Sequence, residues 1–215
     1  MEVLCVKFLL TALNAKYIHS NPALYSLRAY AQQQIGAEDV EIAEYTINQS
    51  VDEIAASVYE KKPDVIALSC YIWNWRMIQE LIGVLGKVLP SAALWLGGPE
   101  VSFHTEKLLE QYPQLTGVMV GEGEVTFSEL LSYYRGNGLQ ISLDKIAGIV
   151  YRNMQTGNIV RTAGRELTDI SGLPFFYDNM EGLPIALCTM NPAAAVRIAA
   201  ATAFLQLIKK CVCGI

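Results

Sequence analysis

Short apolar runs alternate with longer amphipathic stretches five times between Val3 and Tyr134. The runs have the length of strands, and the stretches between them repeat apolar residues at helical spacing. A strand–helix order repeated in this way builds a parallel sheet through right-handed crossovers. We therefore predict an α/β, Rossmann-like (flavodoxin-like) fold. Its doubly wound parallel sheet has five strands in the order 2-1-3-4-5.

Local signals place most of the element boundaries. Asn21-Pro22 is typical of a helix start, and Gly36 of a helix end. In the second helix we expect Ile54, Val58 and Tyr59 to form the buried face. The predicted strands are residues 3–13, 40–47, 64–70, 92–96 and 115–120, and the predicted helices are residues 22–35, 51–62, 75–88, 104–112 and 126–134. Residues 146–152 and 158–162 follow as a predicted β-hairpin, and the remainder is an irregular tail.

Two of the predicted strands end in glycine-rich turns. Residues 92–96 lead into Gly97-Gly98-Pro99-Glu100, and residues 115–120 lead into Gly121-Glu122-Gly123-Glu124. Because glycine lets the backbone approach a ligand closely, two such turns at one sheet edge indicate a ligand crevice. Ordinary tight turns explain either loop alone equally well. Glu124 has a second interpretation, since an acid is also favoured at the start of the helix that follows.

Two further loops carry candidate ligand-binding side chains. After the first strand, Asn14, Lys16, His19 and Asn21 could hold a phosphate or amide group, or could serve only as a helix cap and solvated loop residues. After the third strand, aromatic rings could stack on a flat ligand, or could pack in the core or against another domain. These rings belong to Tyr71, Trp73 and Trp75.

The charge, the apolar runs and the motifs of the chain argue against several classes of protein. A net charge of −5 without a basic patch argues against a nucleic-acid partner, and no apolar run approaches the roughly 20 residues of a membrane span. The N-terminus lacks the pattern of a secretory signal, and five scattered cysteines favour a cytoplasmic location. We expect no metal site, because no histidine, cysteine or carboxylate set has ligand spacing. Neither a Walker motif nor GxGxxG occurs.

Four motifs lie at residues 13–21, 69–74, 96–101 and 121–124. Together they resemble the N-terminal cobalamin (B12)-binding domain of the B12-binding radical SAM proteins. The resemblance implies cobalamin as the ligand and no catalytic residue in this region. Ser69, Gly97 and Gly98 would line the nucleotide tail. The implied cofactor-binding residues are Asn14, Lys16, Tyr17, His19, Ser20, Asn21, Ser69, Cys70, Tyr71, Trp73, Gly97, Gly98, Pro99, Glu100, Gly121, Glu122, Gly123 and Glu124.

One departure from the family pattern concerns the cobalt ligand. The Asp-x-His-x-x-Gly sequence that supplies a cobalt-ligating histidine in other cobalamin proteins is absent from the first loop. The resemblance therefore implies cobalamin held without a protein histidine on cobalt. His19 should not be assumed to be a ligand.

In the family, a barrel that carries a [4Fe-4S] cluster on CxxxCxxC and cleaves S-adenosylmethionine follows the cobalamin domain. We divide this chain into a cobalamin-binding domain (1–137), a hairpin and linker towards a radical SAM domain (138–181) and a tail (182–215). A one-base shift after codon 182 permits the cluster cysteines at family spacing, so we hypothesise a frameshifted tail. A genuine alanine-rich helix is the alternative, and the underlying DNA sequence decides between them.

These inferences give two hypotheses of different class. The first is the cobalamin-binding module of a B12-dependent radical SAM enzyme, unable to catalyse the radical reaction alone. The second is a flavodoxin-like small-ligand or protein-interaction domain that binds no cobalamin. Retention of a corrinoid through gel filtration distinguishes them.

Overall fold

The structure is a computed structural model that describes residues 6–16, 20–36, 39–136, 142–167 and 173–174. Apart from Ser20, these residues belong to one compact unit. The predictions for Tyr17, His19 and the tail after residue 181 lie outside the described residues.

The described residues form seven strands and five helices. The strands are β1 (Phe8–Asn14), β2 (Glu41–Thr46), β3 (Val65–Ser69), β4 (Ala93–Gly97), β5 (Leu115–Met119), β6 (Ile149–Arg152) and β7 (Ile159–Arg161). The helices are α1 (Pro22–Ile35), α2 (Val51–Lys61), α3 (Trp75–Val88), α4 (Thr105–Gln111) and α5 (Glu124–Arg135). Single 3-10 turns lie at Pro99–Val101 and Leu143–Lys145.

The strands form one sheet in the order β2-β1-β3-β4-β5-β6-β7. The first five are parallel to one another, which confirms the predicted α/β class and the predicted order of those strands. The hairpin of β6 and β7 pairs antiparallel with β5 and extends the same sheet to seven strands. β5 is therefore an inner strand, and the hairpin supplies the edge of the sheet.

Helices cover both faces of the sheet. Leu9 and Leu13 of β1 pack in a core with side chains of α2, α3 and α4. Phe8 and Leu10 of the same strand pack in a second core with side chains of α1 and α5. Because successive side chains of a strand point to opposite faces, an almost wholly apolar strand is required where both faces are buried. All seven residues of β1 are buried accordingly.

The helix starts follow the local signals. The side chain of Asn21 accepts a hydrogen bond from the Ala23 amide and Pro22 takes the first helical position, as predicted for α1. Gly36 closes that helix in the left-handed conformation, with φ of 64°. Ser50 and Glu53 form a reciprocal capping box at the start of α2, which satisfies two amides that the helix leaves free.

One helix face and one helix start differ from the predictions. Tyr59 is 52% exposed, so its predicted burial is wrong. The buried face of α2 is formed by Ile54, Ala55 and Val58, and Tyr59 lies about 140° around the helix from Ile54. Helix α5 begins at Glu124, two residues earlier than expected, because residues 124 and 125 already adopt helical geometry.

No helix among the described residues is long and apolar enough to cross a membrane.

Candidate functional site

The candidate residues gather where the parallel strands end. Asn14 at the end of β1 is in register with Thr46 of β2, while Ser69 at the end of β3 is in register with Gly97 of β4. Gly97 in turn is in register with Met119 of β5. The loops that follow β1, β3, β4 and β5 therefore leave from one edge of the sheet, which we call the carboxyl edge.

A network of hydrogen bonds connects the start of α1 to this edge. The side-chain amide of Asn21 donates to the Ser69 hydroxyl at 2.8 Å, and its backbone amide donates to the Glu44 carboxylate at 2.6 Å. The same carboxylate accepts from the Asn14 side-chain amide at 2.9 Å and from the Tyr25 hydroxyl at 2.6 Å. Glu44 was not among the predicted site residues, yet it joins two of them. Nothing local in the sequence marks it, since its partners come from β1 and α1.

The loop between β3 and α3 presents two stacked aromatic rings. The ring centroids of Tyr71 and Trp73 are 4.4 Å apart and the rings are inclined by 13°. Trp73 is 50% exposed and Ile72 between them is 79% exposed. Trp75, by contrast, packs against the core beneath α3, so its core interpretation holds.

Burial changes the acidity of the two groups that start this loop. Burial raises the pKa of the Tyr71 phenol, and a hydrogen bond with Ser69 offsets only part of the rise. Burial likewise raises the pKa of the Cys70 thiol well above its usual range, although a backbone contact with Gly97 lowers it. Both groups therefore stay neutral at physiological pH, and Cys70 is not a thiolate nucleophile.

The loop after β4 is packed tightly against Cys70. Gly98 has φ of 112°, and a Cβ at this position would stand 2.4 Å from the Cys70 carbonyl oxygen. The Ser102 hydroxyl donates to the Gly98 carbonyl at 2.9 Å. The fold itself thus requires glycine at position 98. At Gly97 an added Cβ would meet only the Met119 side chain, at 3.4 Å.

The loop after β5 contacts α1. An added Cβ at Gly123 would meet the Leu27 side chain at 2.8 Å, and the Ser26 hydroxyl donates to the Glu124 carboxylate at 2.8 Å. Glu124 lies in the first turn of α5, so the interpretation as a helix-terminal acid is confirmed. Gly121 has φ of 86° with nothing within 4 Å of an added Cβ, so this turn has open space beside it.

A pocket of about 500 Å³ opens beside the stacked rings. Its lining combines predicted residues with three that were not predicted, Ile72, Phe103 and His104. Phe103 is 73% exposed, which is unusual for a phenylalanine and gives the pocket an apolar wall. Phe103 and His104 lie four and five positions after Pro99 of the Gly-Gly-Pro turn, and this closeness in sequence was the signal that could have identified them. The lining residues are Tyr71, Ile72, Trp73, Pro99, Glu100, Phe103 and His104.

Comparison with known proteins assigns this arrangement to a family. Residues 9–131 match the B12 binding domain family. The chain belongs to that family. This confirms the family inferred from the four sequence motifs. The match runs from β1 into α5 and ends before the hairpin, so the family accounts for every strand whose end forms the carboxyl edge.

Relatives of the B12-binding domain are parts of much longer proteins. This chain is 35% identical over 109 residues to the cobalamin-dependent radical SAM methyltransferase TokK of Streptomyces tokunonensis, and the match covers 49% of this chain and 16% of TokK. It is 32% identical over 108 residues to the 2-(S-pantetheinyl)-carbapenam-3-carboxylate methyltransferase of Streptantibioticus cattleyicolor, covering 49% of this chain and 15% of that enzyme. This B12-binding domain thus matches about a sixth of these relatives.

A solved structure has the same fold. The radical enzyme OxsB, with aqua-cobalamin and S-adenosylmethionine bound, superposes with a TM-score of 0.60 at 19% identity. The superposition covers 75% of this chain and 23% of OxsB. At this identity the likeness establishes the fold of the B12-binding domain alone.

The remaining predicted site residues of the B12-binding domain fall into two groups. Lys16 and Pro99 are exposed, and Ser20, Glu100 and Glu122 are half-buried. Tyr17 and His19 lie outside the described residues. Among the described residues, no group of three histidine, cysteine or carboxylate side chains is placed to hold a metal ion.

The edge of the B12-binding domain suits a corrinoid chemically. A corrin ring is flat and apolar on its faces and carries amide side arms around its rim. The exposed Trp73 ring, stacked on Tyr71, offers a flat apolar surface, while the amide and hydroxyl groups of Asn14, Asn21 and Ser69 lie on the same edge. The open space beside Gly121 adds room for backbone contact with a ligand. The residues present therefore fit cobalamin.

Proposed function

We propose that this chain binds cobalamin at the carboxyl edge and serves as the cofactor-holding module of a radical SAM protein. The observation that carries the proposal is the exposed Trp73 ring, stacked on Tyr71 in a B12-binding domain, next to a pocket of about 500 Å³. The half-exposed Trp73 ring, held parallel to the partly buried Tyr71 ring, leaves apolar surface open to water, and a planar ligand would cover that surface.

The proposed contacts divide by chemistry. Tyr71 and Trp73 would lie against the corrin, and Glu100 at the pocket wall would accept hydrogen bonds from its amide arms. Ser69, Gly97 and Gly98 would line the nucleotide tail. Ser69 and Asn21 already bond to each other, so their groups would reach a ligand through their remaining hydrogen-bonding capacity.

Cobalamin, when bound, would supply methyl transfer or otherwise assist a radical reaction, and the protein would supply orientation and exclusion of water. The [4Fe-4S] cluster and S-adenosylmethionine would belong to a radical SAM domain of the full-length protein. The roles of residues 1–137 as the cofactor domain and of 138–181 as the hairpin and linker remain part of this proposal. This chain alone would hold the cofactor without catalysing the reaction.

We further propose that no protein histidine ligates the cobalt. The support is the missing motif in the first loop, and His104 lies instead on the exposed wall of the pocket. A His104→Ala variant should retain hydroxocobalamin with an unchanged visible spectrum. A shifted spectrum in this variant would show that the histidine does reach the metal.

The proposed setting is the cytoplasm, without a nucleic-acid partner. Cys70 is a free, buried thiol, which suits a reducing compartment, and the net charge of −5 disfavours polyanions.

Mixing the purified chain with hydroxocobalamin and passing it through gel filtration tests the proposal. A corrinoid spectrum should elute with the protein, and Trp73→Ala should release most of the colour. Tyr59→Ala is the matched control, because Tyr59 is equally exposed, at 52% against 50%, but lies towards the far end of α2. Complete loss of colour from the unmodified chain would contradict the proposal and favour the small-ligand or protein-interaction alternative.

A further inference from the structure

We propose that Asn74 is a positioning residue that holds the β3–α3 loop so that Tyr71 and Trp73 present their stacked rings at the carboxyl edge. The expected loss of cobalamin binding when Asn74 is changed rests on the proposed function, whereas the expected loss of ring stacking does not.

The side chain of Asn74 makes three hydrogen bonds that span two strands and the loop. Its amide donates to the Leu13 carbonyl and to the Ser69 carbonyl, each at 3.0 Å. Its side-chain oxygen accepts from the Tyr71 backbone amide at 2.9 Å. Both N–H groups and the carbonyl of the side chain are thus used, and Asn74 is 1% exposed.

Asn74 does not do what its position in the sequence suggests. An asparagine directly before a helix usually caps it by accepting from an amide of the first turn. Here Asn74 precedes α3 but has φ of −110° and ψ of −4°, and its side chain makes no capping bond. The side chain is turned back into the sheet edge instead, so it serves the loop and the two strand ends.

The loop needs an inward anchor because its outer side is apolar. Ile72 is 79% exposed and Trp73 is 50% exposed, and the hydrophobic effect would drive both to fold back onto the protein. Asn74 fixes the Tyr71 backbone at one end of the loop. The Trp73 ring stacks on the Tyr71 ring, so fixing the Tyr71 backbone also places the surface on which Trp73 lies.

The two N–H groups of the Asn74 side-chain amide tie the loop to the strand ends, and the isosteric change Asn74→Asp removes both donors. Asn74→Asp would place a carboxylate within hydrogen-bond distance of two carbonyl oxygens, where it would be repelled. Asn74→Ala would remove the same bonds without adding a charge. Burying a carboxylate is costly whatever the residue does, so Asn74→Asp should be the more damaging change, and the signal of the stacked rings is what distinguishes a positioning role from space filling.

Near-ultraviolet circular dichroism of the cobalamin-free chain tests the proposal, since closely stacked aromatic rings give a signal there. The Trp73 contribution is isolated by subtracting the spectrum of the corresponding Trp73→Phe variant. Both Asn74 variants should lose most of that contribution while keeping the far-ultraviolet spectrum of a folded protein. They should also retain less hydroxocobalamin, with Asn74→Asp retaining the least.

Val58→Ala is the control, because it opens a cavity in the core under α2 and lies outside the loop. It should lower stability while keeping the Trp73 contribution. The proposal is overturned if the Asn74 variants keep this contribution as Val58→Ala does. Where Asn74→Asp unfolds, Asn74→Ala decides the test. Failure of the unmodified chain to bind cobalamin would contradict the proposed function and leave the spectral test of Asn74 intact.

Discussion

The side-chain amide of Asn21 donates a 2.8 Å hydrogen bond to the hydroxyl of Ser69, although the two residues are 48 positions apart in the chain. The side-chain oxygen of the same asparagine caps α1 by accepting from Ala23 at 3.1 Å. One buried residue therefore fixes both the start of a helix and the end of a neighbouring strand, and it does so at the proposed ligand edge.

Asn21→Ala should lower the free energy of unfolding by about 2 kcal/mol. The lost cap accounts for about 1 kcal/mol and the lost buried bond for about another. Asn21→Ser, which keeps a capping oxygen, should lose about half as much. Urea unfolding at neutral pH measures both values. Ser50→Ala removes only an exposed cap, so it should cost about 1 kcal/mol, and an equal cost for Asn21→Ala would contradict the second role.

Gly98→Ala should destabilise the protein by more than about 3 kcal/mol, because φ of 112° is strained for alanine and its Cβ would clash with the Cys70 carbonyl. Gly136→Ala is the matched control. Gly136 also has positive φ, 62°, but an added Cβ there meets nothing within 4 Å, so the cost should be about 1 kcal/mol. If the two variants unfold at similar temperatures, the predicted clash with the Cys70 carbonyl is ruled out.

For ligand tests, Gly97→Ala is more informative than a change at Gly98. The added methyl group would meet only the end of the flexible Met119 side chain, so the protein should stay folded. Weaker hydroxocobalamin retention in that variant would then report on the ligand edge.

Thr11→Val should raise the free energy of unfolding by about 1 kcal/mol. Thr11 is fully buried in β1, and among the described residues its hydroxyl has no hydrogen-bond partner, so an isosteric methyl group removes a desolvation cost. Thr126→Val is the opposite case, because the Thr126 hydroxyl accepts from Arg165 at 2.8 Å and donates to the Ala147 carbonyl at 3.3 Å. This second variant should be less stable than the unmodified chain in the same urea titration. A Thr11→Val protein that is also destabilised would show that the hydroxyl has a partner.

The ion pair between Glu106 of α4 and Arg161 of β7 should make stability depend on pH in acid. The Arg161 guanidinium holds the pKa of Glu106 at about 2, below its ordinary value of 4.5. Because the folded pKa is the lower one, the stabilisation is complete above pH 4.5 and disappears as the pH falls towards 2. Both side chains are nearly half exposed, so the contribution should stay below about 1 kcal/mol.

Urea unfolding at pH 6 and pH 3 measures this effect. Glu106→Gln and Arg161→Gln should each show a smaller difference between the two pH values than the unmodified chain does. If neither variant changes the difference, the ion pair does not stabilise the folded chain.

Much of the fold could be predicted because its signals are local. Asn21-Pro22 and Gly36 mark the two ends of α1 through bonds within a few residues, and the structure places those ends there. The burial of Tyr59 was predicted wrongly because the edge of a helix face depends on what packs beside it. The joining of β6 to β5 was also beyond local signals, since a hairpin pattern does not reveal which edge it will pair with.

The candidate site was predictable only as a set of loops. Parallel strands deliver their carboxyl ends to one edge, so the loops at residues 69–74, 97–100 and 121–124 could be expected to meet. The contacts that each residue of these loops makes could not be predicted. Gly98 is required by contact with Cys70, Glu124 is engaged by Ser26, and Asn74 reaches back 61 positions to Leu13.

The order of residues along the chain was enough to establish the α/β class, the order of the five parallel strands and the B12-binding family, because each depends on short patterns and on chain connectivity. The tertiary structure decided which polar groups at the edge are bonded within the protein and which apolar groups stay exposed. Asn21 and Ser69 satisfy each other, whereas Trp73 and Phe103 remain open to solvent. The reason is physical: a side chain's partners and its exposure depend on neighbours that the fold brings from distant parts of the chain.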